Sequence, residues 1–256
     1  MPFTLSHPLA VVPFARTGLI FSALVIGSMS PDFEYFVRLR QDSHASHTFV
    51  GLFTRCLPAS LLVYWLWHDL LKKPLLELAP EYHRARLAGI GGDFSFGPYR
   101  HFFKICASIL LGAATHLLWD SHTHEWGIPV HAIVALQTKL SLPGLAPIPL
   151  YRCLQHASSI LGLLGLLFLY RSWIMKLPLA EPPPGLIPPT RRTRILLTAA
   201  ILAALVGLAM AARRFPLSDP ENFRGFVVRS TVVSISALGV MALAFAFWFR
   251  RRFPSA

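Results

Sequence analysis

Charge is what this sequence has least of. Only 14% of its 256 residues are Asp, Glu, Lys or Arg, against about 25% in soluble domains. Acidic residues number 12, and 54% of the chain is hydrophobic. Such a composition excludes a soluble enzyme, because too few charges are available to cover a water-facing surface, and it excludes a disordered chain. Cysteine is scarce as well. Cys56, Cys106 and Cys153 are scattered without disulfide or metal spacing, which excludes a disulfide scaffold and reads as buried, inert thiols. Histidine is absent from residues 157–256, although the chain has 11 of them.

What is present in quantity is apolar sequence. A bilayer core takes about 20 apolar residues in a helix. Five runs meet that length, roughly Val50 to Leu71, Phe103 to Trp119, Ala157 to Met175, Ile195 to Ala212 and Thr231 to Phe249. The expected fold is therefore all-α: a polytopic helical membrane protein with five to six transmembrane helices. The stretch from Leu9 to Met29 has two readings, because Pro13, Arg16 and Gly18 interrupt it. It is either one strained span or a re-entrant helical hairpin turning at Arg16-Thr17-Gly18, which protein would have to cover at membrane depth. No basic start or small-residue cleavage site marks it as a signal peptide.

The net charge of +12 follows from the same architecture. Late basic residues cluster beside apolar runs, at Arg191, Arg192 and Arg194, at Arg213 and Arg214, and at Arg250 to Arg252. Clusters so placed anchor spans at lipid headgroups. The aromatic interleaving of single-strand nucleic-acid grooves is missing, so membrane lipids are the expected partners and nucleic acid is not. Lys and Arg counts in the loops favour the C-terminus inside by a small margin. Between Leu177 and Thr190 lie six prolines, a semi-rigid segment. The expected organisation is a His/Asp-bearing bundle over residues 1–176, a Pro-rich basic linker over 177–194 and a terminal pair of spans over 195–256. Sequence leaves the oligomeric state open.

Histidine and acid concentrate in the first part, and there any chemistry belongs. His116 and Asp120 stand four apart, one turn apart on one helix face, where they can share a divalent cation. Ser30-Pro31-Asp32 has two readings. As a helix start, Asp32 is a cap, the simpler reading of the motif alone. As part of a site, Asp32 is a metal ligand or a general base acting on water. His44 and His47 precede the first long span, His122 and His124 close the second, and His156 opens the third. His68, His83, His101 and His131 have no partner at ligand spacing and read as structural or solvated. Separate segments thus deliver His or Asp to one membrane face beside helix ends, which is how helical bundles build metal sites.

The pattern Ser6-His7-Pro8, Ser30-Pro31-Asp32, His47-Thr48 and His116 to Asp120 followed by Gly127 resembles an uncharacterised family of bacterial membrane proteins, a domain of unknown function typified by MPFTLSHP, GSMSPDFEYF, THLLWDSHTH and QHASS. That family is distantly similar to the LexA-binding, inner-membrane-associated metal-dependent hydrolases. Through them it resembles the helical zinc-dependent phospholipase C and single-strand nuclease superfamily. The resemblance covers roughly residues 1–175 and none of 190–256. It implies a multi-pass protein of the bacterial inner membrane, a divalent metal with zinc first, and His7, Asp32, His47, His116 and Asp120 as ligands, with His124 a weaker sixth. It favours the hairpin, since a straight span would leave His7 about 30 Å from the rest. It departs from the phospholipases where the residue four after His156 is the apolar Ile160. The implied function is hydrolysis of a lipid or other phosphoester at headgroup level, with Asp32 as catalytic base. The alternatives are a metal transporter or sensor and a non-catalytic membrane protein.

Overall fold

The apolar runs fold as helices, because in lipid a helix satisfies its backbone groups within itself. The computed structural model describes residues 3–40, 45–90, 94–141, 147–182, 185–216 and 222–254. A 3-10 helix over Thr4–Arg16 comes first. It is followed by α1 (Phe21–Met29) and α2 (Phe33–Arg38), then the long α3 (Phe49–Leu78) and the short α4 (Glu81–Leu87). Next come α5 (Tyr99–Thr123), α6 (Ile128–Ala132) and α7 (Val134–Gln137). A two-residue antiparallel pair, β1 (Lys139–Leu140) and β2 (Ile148–Pro149), precedes α8 (Leu150–Lys176). The chain closes with α9 (Pro189–Ala212) and α10 (Phe223–Arg252). Five helices are long and apolar enough to cross a membrane: α3, the run Tyr99–Ala132 that contains α5, α8, α9 and α10. Each begins or ends within a few residues of the run marked by the sequence.

Two compact units pack separately, one of Met1–Phe33, His44–Tyr64 and Phe96–Trp173, the other of Glu34–Ser43, Trp65–Ser95 and Ile174–Ala256. In the first, the opening apolar stretch turns back on itself as the hairpin reading expects. Pro8 and Pro13 lie inside the 3-10 helix, and each removes a backbone donor that an α-helix would need. Gly18 then takes a φ of 80°, a conformation that an L side chain disfavours. The returning α1 crosses α5 at very close range. A Cβ on Gly27 would run into the backbone of Ile109, and one on Gly112 would run into the Leu24 carbonyl and the Ser28 amide. Small residues at such crossings let membrane helices associate through backbone contact. On the other side α8 presents Gly162 to Ser6 and Gly165 to Leu9, and Ser159 Oγ accepts from the Phe3 amide at 2.9 Å.

The second unit is held by a buried ion group. Glu77 accepts from Arg84 at 3.2 Å, from Arg192 at 3.1 Å and from the Ile187 amide at 3.0 Å. The Pro-rich segment is thereby tied down where Ile187 packs with Leu78 and Phe249. Arg86 gathers carbonyls at and just past the end of α8, reaching Met175 O at 3.1 Å and Leu177 O at 2.5 Å.

Two stability outcomes follow. Gly112→Val overpacks the α1–α5 crossing, which costs about 1–3 kcal/mol and should lower the melting temperature in detergent by roughly 2–12 °C. Gly239→Ala, where a Cβ meets nothing within 4 Å inside α10, should not lower it and should raise it slightly. Glu77→Leu removes the carboxylate that two buried guanidiniums share and should cost about 3–5 kcal/mol. Removing the half-exposed Arg38 of the Arg38–Glu34 pair should cost about 0–1 kcal/mol. Chemical unfolding of the solubilised protein measures both.

Candidate metal centre

Four pieces of the first unit meet at one end of its helices. The 3-10 helix supplies His7, which is buried. The turn Ser30–Asp32 that ends α1 supplies Asp32, with Ser30 Oγ donating to Gly27 O at 2.8 Å to fix the bend. His47 sits immediately before α3. There Thr48 is the N-cap, its Oγ1 accepting from the Gly51 amide at 2.9 Å. Gly51 allows the Ala45–Ser46 backbone to close over the helix start, since a Cβ there would meet the Ala45 carbonyl. Ser46 Oγ donates to Pro31 O at 2.6 Å and so ties the His47 loop to the Asp32 turn. His116 and Asp120 come from successive turns of α5, as their spacing requires.

The side chains converge closely. His47 Nε2 lies 3.4 Å from Asp32 Oδ1 and 3.7 Å from Asp120 Oδ2. His116 Nε2 lies 3.6 Å from Asp32 Oδ1 and 3.4 Å from Asp120 Oδ2. His7 Nε2 is 3.7 Å from Asp120 Oδ1, and the His7 ring stacks on His116 with centroids 3.6 Å apart. Two overlapping triads can each be drawn around a common point, His7/Asp32/His116 and His47/His116/Asp120. Ligands bonded at about 2.0–2.2 Å in a tetrahedron stand roughly 3.3–3.6 Å apart. The observed separations are of that size and too long for good hydrogen bonds.

The polar atoms that face one another have few protein partners. His7 Nε2, Asp32 Oδ1, His116 Nε2 and both Asp120 oxygens are buried with no hydrogen-bond partner, an arrangement that buried polar groups normally avoid. Their other atoms are anchored. Asp32 Oδ2 accepts from Thr4 Oγ1 at 2.6 Å. His116 Nδ1 lies 2.7 Å from the Ser28 carbonyl, an acceptor only, so Nδ1 carries a proton and Nε2 is left facing the two carboxylates. Metal-binding histidines are commonly oriented this way. Burial pushes the His7 imidazole down to about 3, with the neighbouring His116 adding to the fall. At neutral pH His7 is uncharged and offers a lone pair rather than a positive charge.

The residues marked in the sequence separate cleanly. His7, Asp32, His47, His116 and Asp120 come together. His124 lies at the rim, in neither triad. Its Nδ1 donates to Asp120 O at 2.9 Å and its Nε2 accepts from Gln155 at 3.3 Å, while Nδ1 stands 3.7 Å from Asp120 Oδ1. His122 donates to Leu118 O at 2.9 Å, and His156 is exposed. His44 lies outside the described residues. The capping reading of Asp32 is overturned, because its carboxylate turns into the bundle toward Thr4, His47 and His116. Ser46 had no signal in the sequence, and Thr4, Ser28 and Gln155 stand inside the quoted motifs without a role that the sequence assigns. Each acts through one hydrogen bond, and no spacing rule marks such a residue.

These features define a class: a multi-pass helical membrane protein with a buried His/Asp cluster at its helix ends. The chain belongs to the family described as Domain of unknown function (DUF4184), whose model matches residues 1–248 and so takes in most of the terminal spans that the resemblance had left out. No curated protein and no solved structure matches the chain.

Thr4→Val tests how the cluster is oriented. Losing the donor to a buried carboxylate should cost about 1–3 kcal/mol and free Asp32 to rotate. Thr4→Ser should restore both stability and divalent-metal affinity, measured by unfolding and by calorimetric titration.

Proposed function

We propose that this protein is a metal-dependent hydrolase embedded in the bacterial inner membrane, acting on a lipid or other phosphoester at headgroup level. The observation that carries the reading is the buried set of imidazole nitrogens and carboxylate oxygens, held 3.4–3.7 Å apart and largely without protein donors. Divalent zinc suits a site of nitrogen and oxygen ligands. His116 would hold the ion together with His7 and Asp32 of one triad, or with His47 and Asp120 of the other. When bound, it supplies Lewis-acid polarisation and brings the pKa of a water to about 7.

The chain's own residues do the rest. Ser28 holds His116 in one tautomer, and Thr4 keeps Asp32 Oδ1 turned toward His47 and His116. Asp32 takes the proton from the attacking water and shares in holding the ion. His47 and His124 are the two residues of the cluster with an exposed edge, at 10% and 13% of the side chain, and they mark the side from which substrate reaches it. Catalytic metal sites keep such an open position, while structural ones close it with protein ligands. A transport pathway would need polar groups continuing through the helices. Among the described residues of the first unit, the cluster supplies the only buried ionisable side chains apart from Tyr and Cys.

Metal analysis of the detergent-purified protein is the first test. At least one equivalent of zinc is expected, with loss in His116→Ala and in Asp120→Ala. Asp32→Asn should keep much of the metal while headgroup or phosphate release from phospholipid vesicles falls about 10²–10⁴-fold. Metal-free parent protein overturns the reading. Metal without release from any phosphoester leaves a structural site in its place.

A further inference from the structure

The connection between α5 and α8 exposes more apolar surface than a water-facing loop explains. Ile128 is 82% exposed, Val134 78%, Trp126 54% and Ile133 46%. Large apolar surface of this kind marks a contact with membrane or protein. Val130 and Leu136 point the other way, buried against Tyr151 of α8. The segment is therefore two-faced, one side packed on the first unit and the other left open.

Its position relative to the bilayer follows from helix length. The 25 residues of α5 measure about 37 Å, already more than the roughly 30 Å of a hydrocarbon core. The helix then stops, since His124 is extended with φ −125° and ψ 145°. Gly127 makes the turn, where a Cβ would run into the Ser121 carbonyl. Residues 126–137 thus turn off the axis of a helix that already exceeds the length of the core. The apolar surface continues onto the spans at the same end, through Trp119 on α5, 40% exposed, and Phe49 at the start of α3, 74% exposed. Exposed tryptophans at the ends of spans sit at the headgroup boundary. This continuity with lipid-facing helices makes the bilayer the occupant of the open face.

We propose that residues 126–137 form an in-plane interfacial segment. Trp126, Ile128, Ile133 and Val134 lie among the lipid headgroups and upper acyl chains, as amphipathic interfacial elements do. Trp126 stands next to His124, with ring centroids 5.5 Å apart. The same segment therefore sets the exposed edge of the His/Asp cluster at headgroup depth. This contact with lipid stands whether or not the cluster hydrolyses anything.

The test places a nitroxide at Ile128→Cys and at Val134→Cys, with Cys106→Ser and Cys153→Ser, in full-length protein reconstituted in phosphatidylethanolamine/phosphatidylglycerol vesicles. Collision rates with oxygen should exceed those with a water-soluble nickel chelate at both positions, and the reverse should hold at Glu125→Cys. Faster collision with the chelate at 128 and 134 overturns the proposal. So does shielding from both reagents, which would mean that protein covers the face. A second measurement needs no cysteine: emission quenching by brominated lipid should fall in Trp126→Phe relative to the parent. Equal quenching in the two proteins likewise overturns it.

Discussion

Two carboxylates are buried side by side in the first unit. Asp32 and Asp120 have no exposed surface, and both face the Nε2 atom of His116. Taking an ionised carboxylate out of water costs several kcal/mol unless donors or a cation replace the water. The rest of the unit is arranged around that constraint. Folding the N-terminal stretch back brings His7 and Thr4 to the carboxylates. The glycine crossing of α1 and α5 brings the Ser28 carbonyl within reach of His116. Gly162 and Gly165 let α8 close over the outside of the same hairpin.

The second unit solves the same problem by other means, and the contrast is informative. Glu77 is also buried, yet its two oxygens meet two guanidiniums and a backbone amide. That carboxylate is compensated by the chain itself. Asp120 meets only imidazole nitrogens, at 3.4–3.7 Å, and Asp32 accepts from Thr4. The nitrogens nearest them belong to imidazoles, of which His7 is neutral at physiological pH. A chain that meets a buried acid with arginine in one unit sets two acids among imidazoles in the other. That difference is what supports the proposed bound cation.

Much of this was legible in the sequence because membrane physics is coarse. Apolar length alone locates the five spans, and the Pro13/Arg16/Gly18 interruption permits the hairpin that the structure adopts. His116 and Asp120 could be paired from helix periodicity. His7 joined them only through the resemblance and the assumption of a fold-back, since no local rule relates residues so far apart. Asp32 shows where local reasoning stops. Ser-Pro-Asp is a sound helix start by propensity, but tertiary packing turned its carboxylate inward. The supporting bonds were invisible for a different reason. A backbone carbonyl such as that of Ser28 carries no side-chain signal, and the contact between Glu77 and the Ile187 amide joins residues 110 positions apart.

The central claim is that the Asp32/Asp120 pair is compensated by a cation held on nitrogen and oxygen. X-ray absorption at the metal K-edge of the purified protein tests it most directly. The account predicts a first shell of nitrogen and oxygen at about 2.0–2.2 Å with the outer-shell pattern of two or more imidazoles. It also predicts a weaker imidazole pattern in His7→Ala. Sulfur scattering at about 2.3 Å, or a spectrum that does not change in His7→Ala, would contradict it.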